Sequence, residues 1–400
     1  LSRLAVSPLL AFLLLLVALA PAQAQGVLPA ASGLASEAET RLWGTVTRTD
    51  GSAVSGFLIW DLNEATPWDV LTADLRIPEE IKELWIAHAQ QDPEPRDRSI
   101  DFGGVRLTWE KEIRGYPSVQ SSGLRFGHIR RIVLDGNEAR VELRSGVVIE
   151  MVGSATDLGT ALREIRVEPP NGAPVSFGWS EVAEVELGDP PENASPTGTR
   201  LYGTVRSRSG ATFTGWASWN AARAFVEDEL VGADRAVPFG QVQRLERVAD
   251  DLRVRLRSGE EILLRRGGDV GSDLDLSDPR MGSVVIPWSE FASFEFGDAG
   301  APAPMASEVA WDGGAPLRGT VRNEAGESHT GIILWDMQES SSWELLDGEH
   351  RGLELRVEFA EIARIEKLSP ESAAVTLRDG RRLVIEGSND VDDSNRGILV

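Results

Sequence analysis

Residues 42–61 read LWGTVTRTDGSAVSGFLIWD, and the same spacing returns without a gap as LYGTVRSRSGATFTGWASWN at 201–220 and LRGTVRNEAGESHTGIILWD at 317–336. Each copy follows L-x-G-T-V-x4-G-x4-G-x3-W, so Gly44, Gly51 and Gly56 correspond to Gly203, Gly210 and Gly215, and to Gly319, Gly326 and Gly331. Trp60, Trp219 and Trp335 close the pattern, and Leu71, Leu230 and Leu346 follow eleven residues later in each copy. A repeat bears on architecture before secondary structure is argued, because each copy is one unit that buries its apolar face against neighbours.

A finer repeat lies inside the first. The spacing V-x4-G occurs at Val46/Gly51, Val141/Gly146, Val205/Gly210, Val254/Gly259, Val321/Gly326 and Val375/Gly380. Asp, Ser or Ala precedes each glycine, and alternating apolar residues flank it, which predicts hairpin turns where glycine supplies a positive φ. Downstream, an aromatic is followed by aliphatic or aromatic residues at +3 and +6, starting at Phe126, Trp179, Phe239, Trp288 and Phe359. That spacing fits a strand entering a tight turn and leaving as another strand.

The chain therefore reads as all-β, with three tandem modules that are each a pair of small-barrel or sandwich half-repeats. The modules span 41–189, 200–298 and 317–400, separated by breaker-rich linkers at 190–199 (PPENASPTGT) and 299–316 (AGAPAPMASEVAWDGGAP). The first module carries an insertion at about 69–125. Within it, Pro78-Glu79-Glu80 opens a helix running to about Gln91, with Ile81, Leu84, Trp85 and His88 on one stripe. The sixth half-unit lacks the closing aromatic strand pair of the other five, so the third module is expected to continue beyond Val400.

Composition narrows the function. The 400 residues include 63 Asp and Glu against 40 Lys and Arg, for a formal charge of −23. A nucleic-acid partner is not expected, since phosphate neutralisation needs a basic surface. There is no cysteine, which removes disulfides, thiolate metal sites and a cysteine nucleophile. Residues 1–24 place Arg3 before an apolar run from Leu9 to Ala20 and an Ala22-Gln23-Ala24 exit. This reads as a bacterial signal peptide, followed by an N-terminal linker at 25–40, and predicts a periplasmic or extracellular protein with no membrane span after cleavage.

Candidate chemistry is sparse. His88, His128, His329 and His350 are scattered and form no metal-ligand pair, and no nucleophile elbow or phosphate loop is present. No catalytic, cofactor-binding or metal residue is assigned, and the chain is not read as an enzyme. Two loops, from Asp269 to Asp278 and from Asp390 to Asn395, place oxygens at alternate positions as calcium ligands do, with Asp157 at the matching place in the first module. Both lack the glycine and terminal Glu of an EF-hand and read as solvated acidic loops. Arg253, Arg255 and Arg257 alternate on one strand face beside nearby acids, which points to local salt pairing.

Trp60, Trp219, Trp335, Trp179 and Trp288 read as core. Trp43 and Tyr202 share a position with Arg318, and Trp68 and Trp343 share one with Glu227. Positions that also accept a charge predict solvent exposure, making Trp43, Tyr202, Trp68 and Trp343 the candidate ligand-binding residues. Exposed rings stack on sugars or on peptide side chains.

The hairpin resembles the first half of Sm-like small barrels, in Leu42, Gly44, Val46, Gly51, Gly56 and Asp61 and in their counterparts at 201–220 and 317–336. The resemblance implies strand geometry alone, because the second Sm signature that carries the RNA site is absent. The whole repeat, from G-T-V through the W-S-E caps at Trp179 and Trp288, also looks like secreted bacterial β-repeat proteins of unknown function. The expected role is a non-enzymatic interaction or structural module of the cell envelope, with a protein or glycan partner. A carbohydrate-binding protein is the alternative, and a hydrolase a more distant one.

Overall fold

The computed structural model describes residues 40–91, 98–102, 105–109, 118–153, 157–297 and 311–400, all within the unit Ala35–Val400. The expected leader and the residues up to 39 lie outside the described residues.

All six turns form. Gly51, Gly146, Gly210, Gly259, Gly326 and Gly380 take φ between 85° and 91°. Each donates its N–H to the carbonyl three residues back, at 2.9–3.1 Å. A type I turn followed by a left-handed glycine is the three-residue hairpin loop, with the glycine forming a bulge. The aromatic caps form turns as well. Four of the five, Phe126–His128, Trp179–Glu181, Phe239–Gln241 and Phe359–Glu361, are single 3-10 turns, with strands leaving at Ile129, Val182, Val242 and Ile362. The fifth, at Trp288, is a hydrogen-bonded turn from which a strand leaves at Phe291. The expected helix spans Glu79–Gln91, with Glu79 and Glu80 in its first turn. Leu84 on its apolar stripe is 46% exposed, so the stripe is not buried along its length.

The protein is all-β apart from that helix and the short turns. Ten strands pair in the order Val175–Phe177, Ile165–Glu168, Ala53–Trp60, Trp43–Arg48, Val182–Gly188, Ile129–Asp135, Glu138–Leu143, Val148–Val152, Val70–Arg76, Val119–Arg125. A second sheet has thirteen strands, and its segment from Gly282–Ile286 to Glu261–Leu264 repeats the first eight of these in the same order. It then continues through Leu353–Glu358, Leu345–His350, Arg382–Glu386, Ser372–Leu377 and Ile362–Ser369. The join is a pairing of Gly282, Ser283, Val284 and Val285 with Val357, Arg356, Leu355 and Glu354. The breaker-rich stretch 299–316 thus separates chain segments without separating sheets.

No barrel closes among the described residues, which corrects the small-barrel half of the expectation. Val182–Gly188 pairs with both Trp43–Arg48 and Ile129–Asp135, and Phe291–Phe296 does the same between Tyr202–Ser207 and Val242–Val248. The edges that would close a half-repeat on itself are used to join two halves. The recurring strand glycines follow from this crowding. A Cβ on Gly44 or Gly203 would run into the carbonyl of Glu186 or Glu295 on the strand alongside. In the third copy Arg318–Arg322 and Ser328–Ile332 form a separate two-stranded sheet. Val321 there is half-buried, whereas Val46 and Val205 are 0% and 1% exposed.

Polar groups as well as apolar ones hold the segments together. Arg125 Nε lies 3.0 Å from Glu358 Oε2, and His128 Nε2 is 3.1 Å from the other oxygen of that carboxylate. Arg125 also donates to the Asp278 carbonyl at 3.0 Å. Arg200 donates to both oxygens of Asp69 at 3.1 and 3.2 Å, with Ser277 Oγ on the same carboxylate. One apolar cluster gathers the residues of the first segment and takes in Trp343, while another runs through the second and third.

Candidate functional site

Each copy of the repeat ends in a turn that gathers polar side chains. After Trp60, Trp219 and Trp335 come two residues at positive φ: Asp61 and Leu62 (43° and 65°), Asn220 and Ala221 (54° and 46°), Asp336 and Met337 (45° and 58°). Two consecutive positive φ values make a type I′ turn, whose central positions favour Asp and Asn because these tolerate the left-handed region. The chain then bridges back, with the tryptophan N–H donating to the carbonyl of Glu64, Arg223 or Glu339 at 2.7 Å in every copy.

A third residue arrives from a distant loop. The indole N–H of Trp60, Trp219 and Trp335 donates to the main-chain carbonyl of Asp157, Asp269 and Asp390 at 2.7, 2.8 and 3.0 Å. The Oδ2 atoms of those aspartates accept the backbone N–H of Thr72, Val231 and Asp347 at 2.6, 2.9 and 2.7 Å. The core tryptophan therefore seats the aspartate that completes the site.

Chemically the copies differ. Asp61, Glu64 and Asp157 in the first, and Asp336, Glu339 and Asp390 in the third, each bring three carboxylate oxygens within 4.8 Å of one another. One arginine attends each set. Arg163 donates to Asp61 Oδ2 from Nε at 3.0 Å, and Arg396 does so to Asp336 at 3.1 Å. The second copy holds Asn220, Arg223 and Asp269 instead. There Asn220 Nδ2 donates to Asp269 Oδ1 at 3.0 Å, and Arg223 Nε to Oδ2 at 3.3 Å. Burial pushes the carboxyls of Glu64 and Glu339 well above the usual carboxylate range, and the neighbouring acids add to it. Burial likewise raises Asp390 to about 8.

Beside the third set lies a cavity of about 440 Å³. Glu339, Asp347, Asp390 and Arg396 line it together with Val119–Ser122. Three buried oxygens in its lining, Gln120 Oε1, Glu339 Oε2 and Asp347 Oδ1, have no hydrogen-bond partner. Hard oxygen donors in this number suit a divalent cation of the calcium class.

The aromatic candidates fare unevenly. Trp68 is 0% exposed and stacks on Trp216 at 4.2 Å, because the second segment packs over it where Arg200 grips the adjacent Asp69. Trp343 is 4% exposed and belongs to the core of the first segment. Neither is an open platform, and the exposure expected from Glu227 at the matching position does not carry over. Trp43 and Tyr202 are half-buried, set edge-on against Phe57 and Trp216 at 5.1 and 5.4 Å. The core readings of Trp60, Trp219, Trp179 and Trp288 hold, and Trp335 packs against the core as a partly buried ring. Of the arginine stripe, Arg253 pairs with Glu246 at 3.5 Å.

Asp157, Asp269 and Asp390 were legible as matching loop residues. They are buried, however, at 6%, 4% and 5% exposure, held by the tryptophan and backbone bonds above, which corrects the solvated-loop reading. Asp61, Glu64, Asp336 and Glu339 were not singled out as a set. The signal lay just past the repeat: W-D-x-x-E in the first and third copies stands against W-N-x-x-R in the second. No family model, curated protein or solved structure matches the chain. Among the described residues no helix is long and apolar enough to cross a membrane.

Proposed function

We propose that this chain is an exported, non-enzymatic repeat protein that serves as an interaction or structural module of the bacterial cell envelope. The observation that carries the reading is the fusion of its three repeats into one body. A strand pairing joins the second and third segments at 282–285 and 354–357, and the buried Arg125–Glu358 pair ties the first to the third. Repeat copies joined through a shared sheet and buried ion pairs suit a scaffold. The test has two parts. Residues 1–24 fused to an enzyme active only outside the cytoplasm should give activity, and a photo-crosslinking side chain at Ser55 or Thr214 should capture one discrete envelope protein in living cells. Cytoplasmic retention, or hydrolysis by the purified chain that a single carboxylate-to-amide change abolishes, overturns the reading.

A glycan-binding reading keeps a narrower basis in the half-exposed rings of Trp43 and Tyr202. It expects a glycan-array signal that Trp43→Ala or Tyr202→Ala removes.

A further inference from the structure

The geometry points to a divalent-cation site of the calcium class at Asp336, Glu339 and Asp390, opening on the cavity beside Val119–Ser122. Three independent observations meet there. The first is coordination geometry. The three carboxylates offer oxygens all within 4.8 Å of one another. Oxygens bound at about 2.4 Å from one calcium ion are separated by at most about 4.8 Å, so a single ion can touch all three.

The second is an unsatisfied acceptor. Glu339 is 5% exposed, and its Oε2 has no hydrogen-bond partner. A buried carboxylate oxygen without a donor is costly unless something positive meets it. Its neighbours in the cavity, Gln120 Oε1 and Asp347 Oδ1, are also buried acceptors without a hydrogen bond, although Arg356 Nε stands 3.8 Å from Asp347. A wall of acceptors calls for a cation.

The third is an internal comparison. In the second copy the protein places its own cation at the matching position, where Arg223 Nε contacts Asp269 Oδ2. There Asn220, Arg223 and Asp269 balance to zero charge. In the third copy Asp becomes the first member and Glu the second, while the single guanidinium of Arg396 faces three carboxylates. With all three carboxyls ionised, as metal ligation requires, two negative charges remain, the charge that one divalent ion cancels. Arg396 and Asn389 meanwhile fix the orientation of Asp336, as second-layer groups do around metal ligands. Glu344 lies close enough to add to the negative field. Asp61, Glu64 and Asp157 repeat the arrangement in the first copy, with Arg163 in the place of Arg396.

The test uses the full chain stripped of metal by a chelator and titrated with calcium chloride in a calorimeter. The wild type is expected to take up calcium, and Glu339→Gln to bind one ion fewer per chain. Should that variant fold poorly, Asp336→Asn combined with Glu339→Arg copies the second repeat and should fold with a smaller calcium-dependent rise in Tm than the wild type. Terbium, excited through the tryptophans, should luminesce on the wild type, and that emission should fall in both variants. Magnesium should bind more weakly, because it demands a tight near-octahedral shell at about 2.1 Å and sheds its waters reluctantly. Failure of the wild type to take up calcium, magnesium or manganese overturns the inference. An unchanged number of bound ions in a folded Glu339→Gln chain does so equally.

Discussion

Arg125 and Glu358 form a 3.0 Å ion pair in which neither side chain reaches solvent, 0% and 1% exposed, although they come from the first and third segments. Removing one partner strands the other as a buried charge, at a cost of about 3–5 kcal/mol. Glu358→Gln should therefore lower the urea midpoint of the full chain sharply, and also release His128 from its carboxylate partner. Replacing both, as Arg125→Met with Glu358→Leu, should recover much of the loss, since an apolar pair of similar volume avoids the desolvation cost. A double variant as unstable as the single one would place the weakness elsewhere in the junction.

The recurring glycines divide into two physical classes with different sensitivities. Gly380 has φ of 91° and nothing within 4 Å of where a Cβ would sit. Gly380→Ala should cost about 1 kcal/mol, the penalty of the left-handed region alone. Gly203 is a strand residue, and a Cβ there would meet the Glu295 carbonyl and the Phe294 ring. Gly203→Ala should cost about 3 kcal/mol, because packed backbone must move. Chemical denaturation of both variants checks the ranking.

Turns and strand faces were legible from the sequence because they depend on local chemistry. Gly51 and its five equivalents need a positive φ whatever surrounds them, and Val46 or Val205 alternates into the core by the pleat. The position of Trp68 was not legible. Its exposure depends on Trp216, in a segment far along the chain, and no local pattern encodes that contact. The carboxylate sets were half legible. Asp157 and Asp390 stood out as matching loop acids, but Glu64 and Glu339 gain meaning only once the type I′ turn brings them to the same end of the sheet. Sheet closure was misread for a related reason. Whether an edge closes on itself or joins its neighbour is decided by packing between halves.

The strand Ile362–Ser369 pairs with Ser372–Leu377 on one side and, among the described residues, with nothing on the other. Its counterparts Ile129–Asp135 and Val242–Val248 are bonded on both sides. An open edge with Leu368 half exposed is a template for strand addition. The 400-residue chain should associate with rising concentration in sedimentation velocity. Leu368→Lys should weaken that association about tenfold, by placing a charge on the edge. Equal association in wild type and variant would move the contact to another surface.

Glu344 supplies a pH dependence whose sign is fixed by burial. Its carboxylate accepts the N–H groups of Ser340 and Ser341 at 2.6 Å, a role that Asp69 and Asp228 play in the other copies. Burial outweighs those bonds and pushes its pKa up to about 7. A carboxyl with a raised folded-state pKa binds its proton more tightly in the folded chain than in the unfolded one. Its stabilising contribution is full below the unfolded value near 4.5 and is lost as pH rises through about 7. The span corresponds to about 3 kcal/mol. Metal-free protein should thus melt at lower temperature at pH 8.5 than at pH 5.5, with Asp390 and Glu339 acting in the same direction. Glu344→Gln should flatten part of that slope, because an amide keeps the acceptor without the titration. Melting curves across this pH range, with and without calcium, separate the two contributions: bound calcium should restore stability at high pH through Glu339 and Asp390 and leave the Glu344 contribution in place.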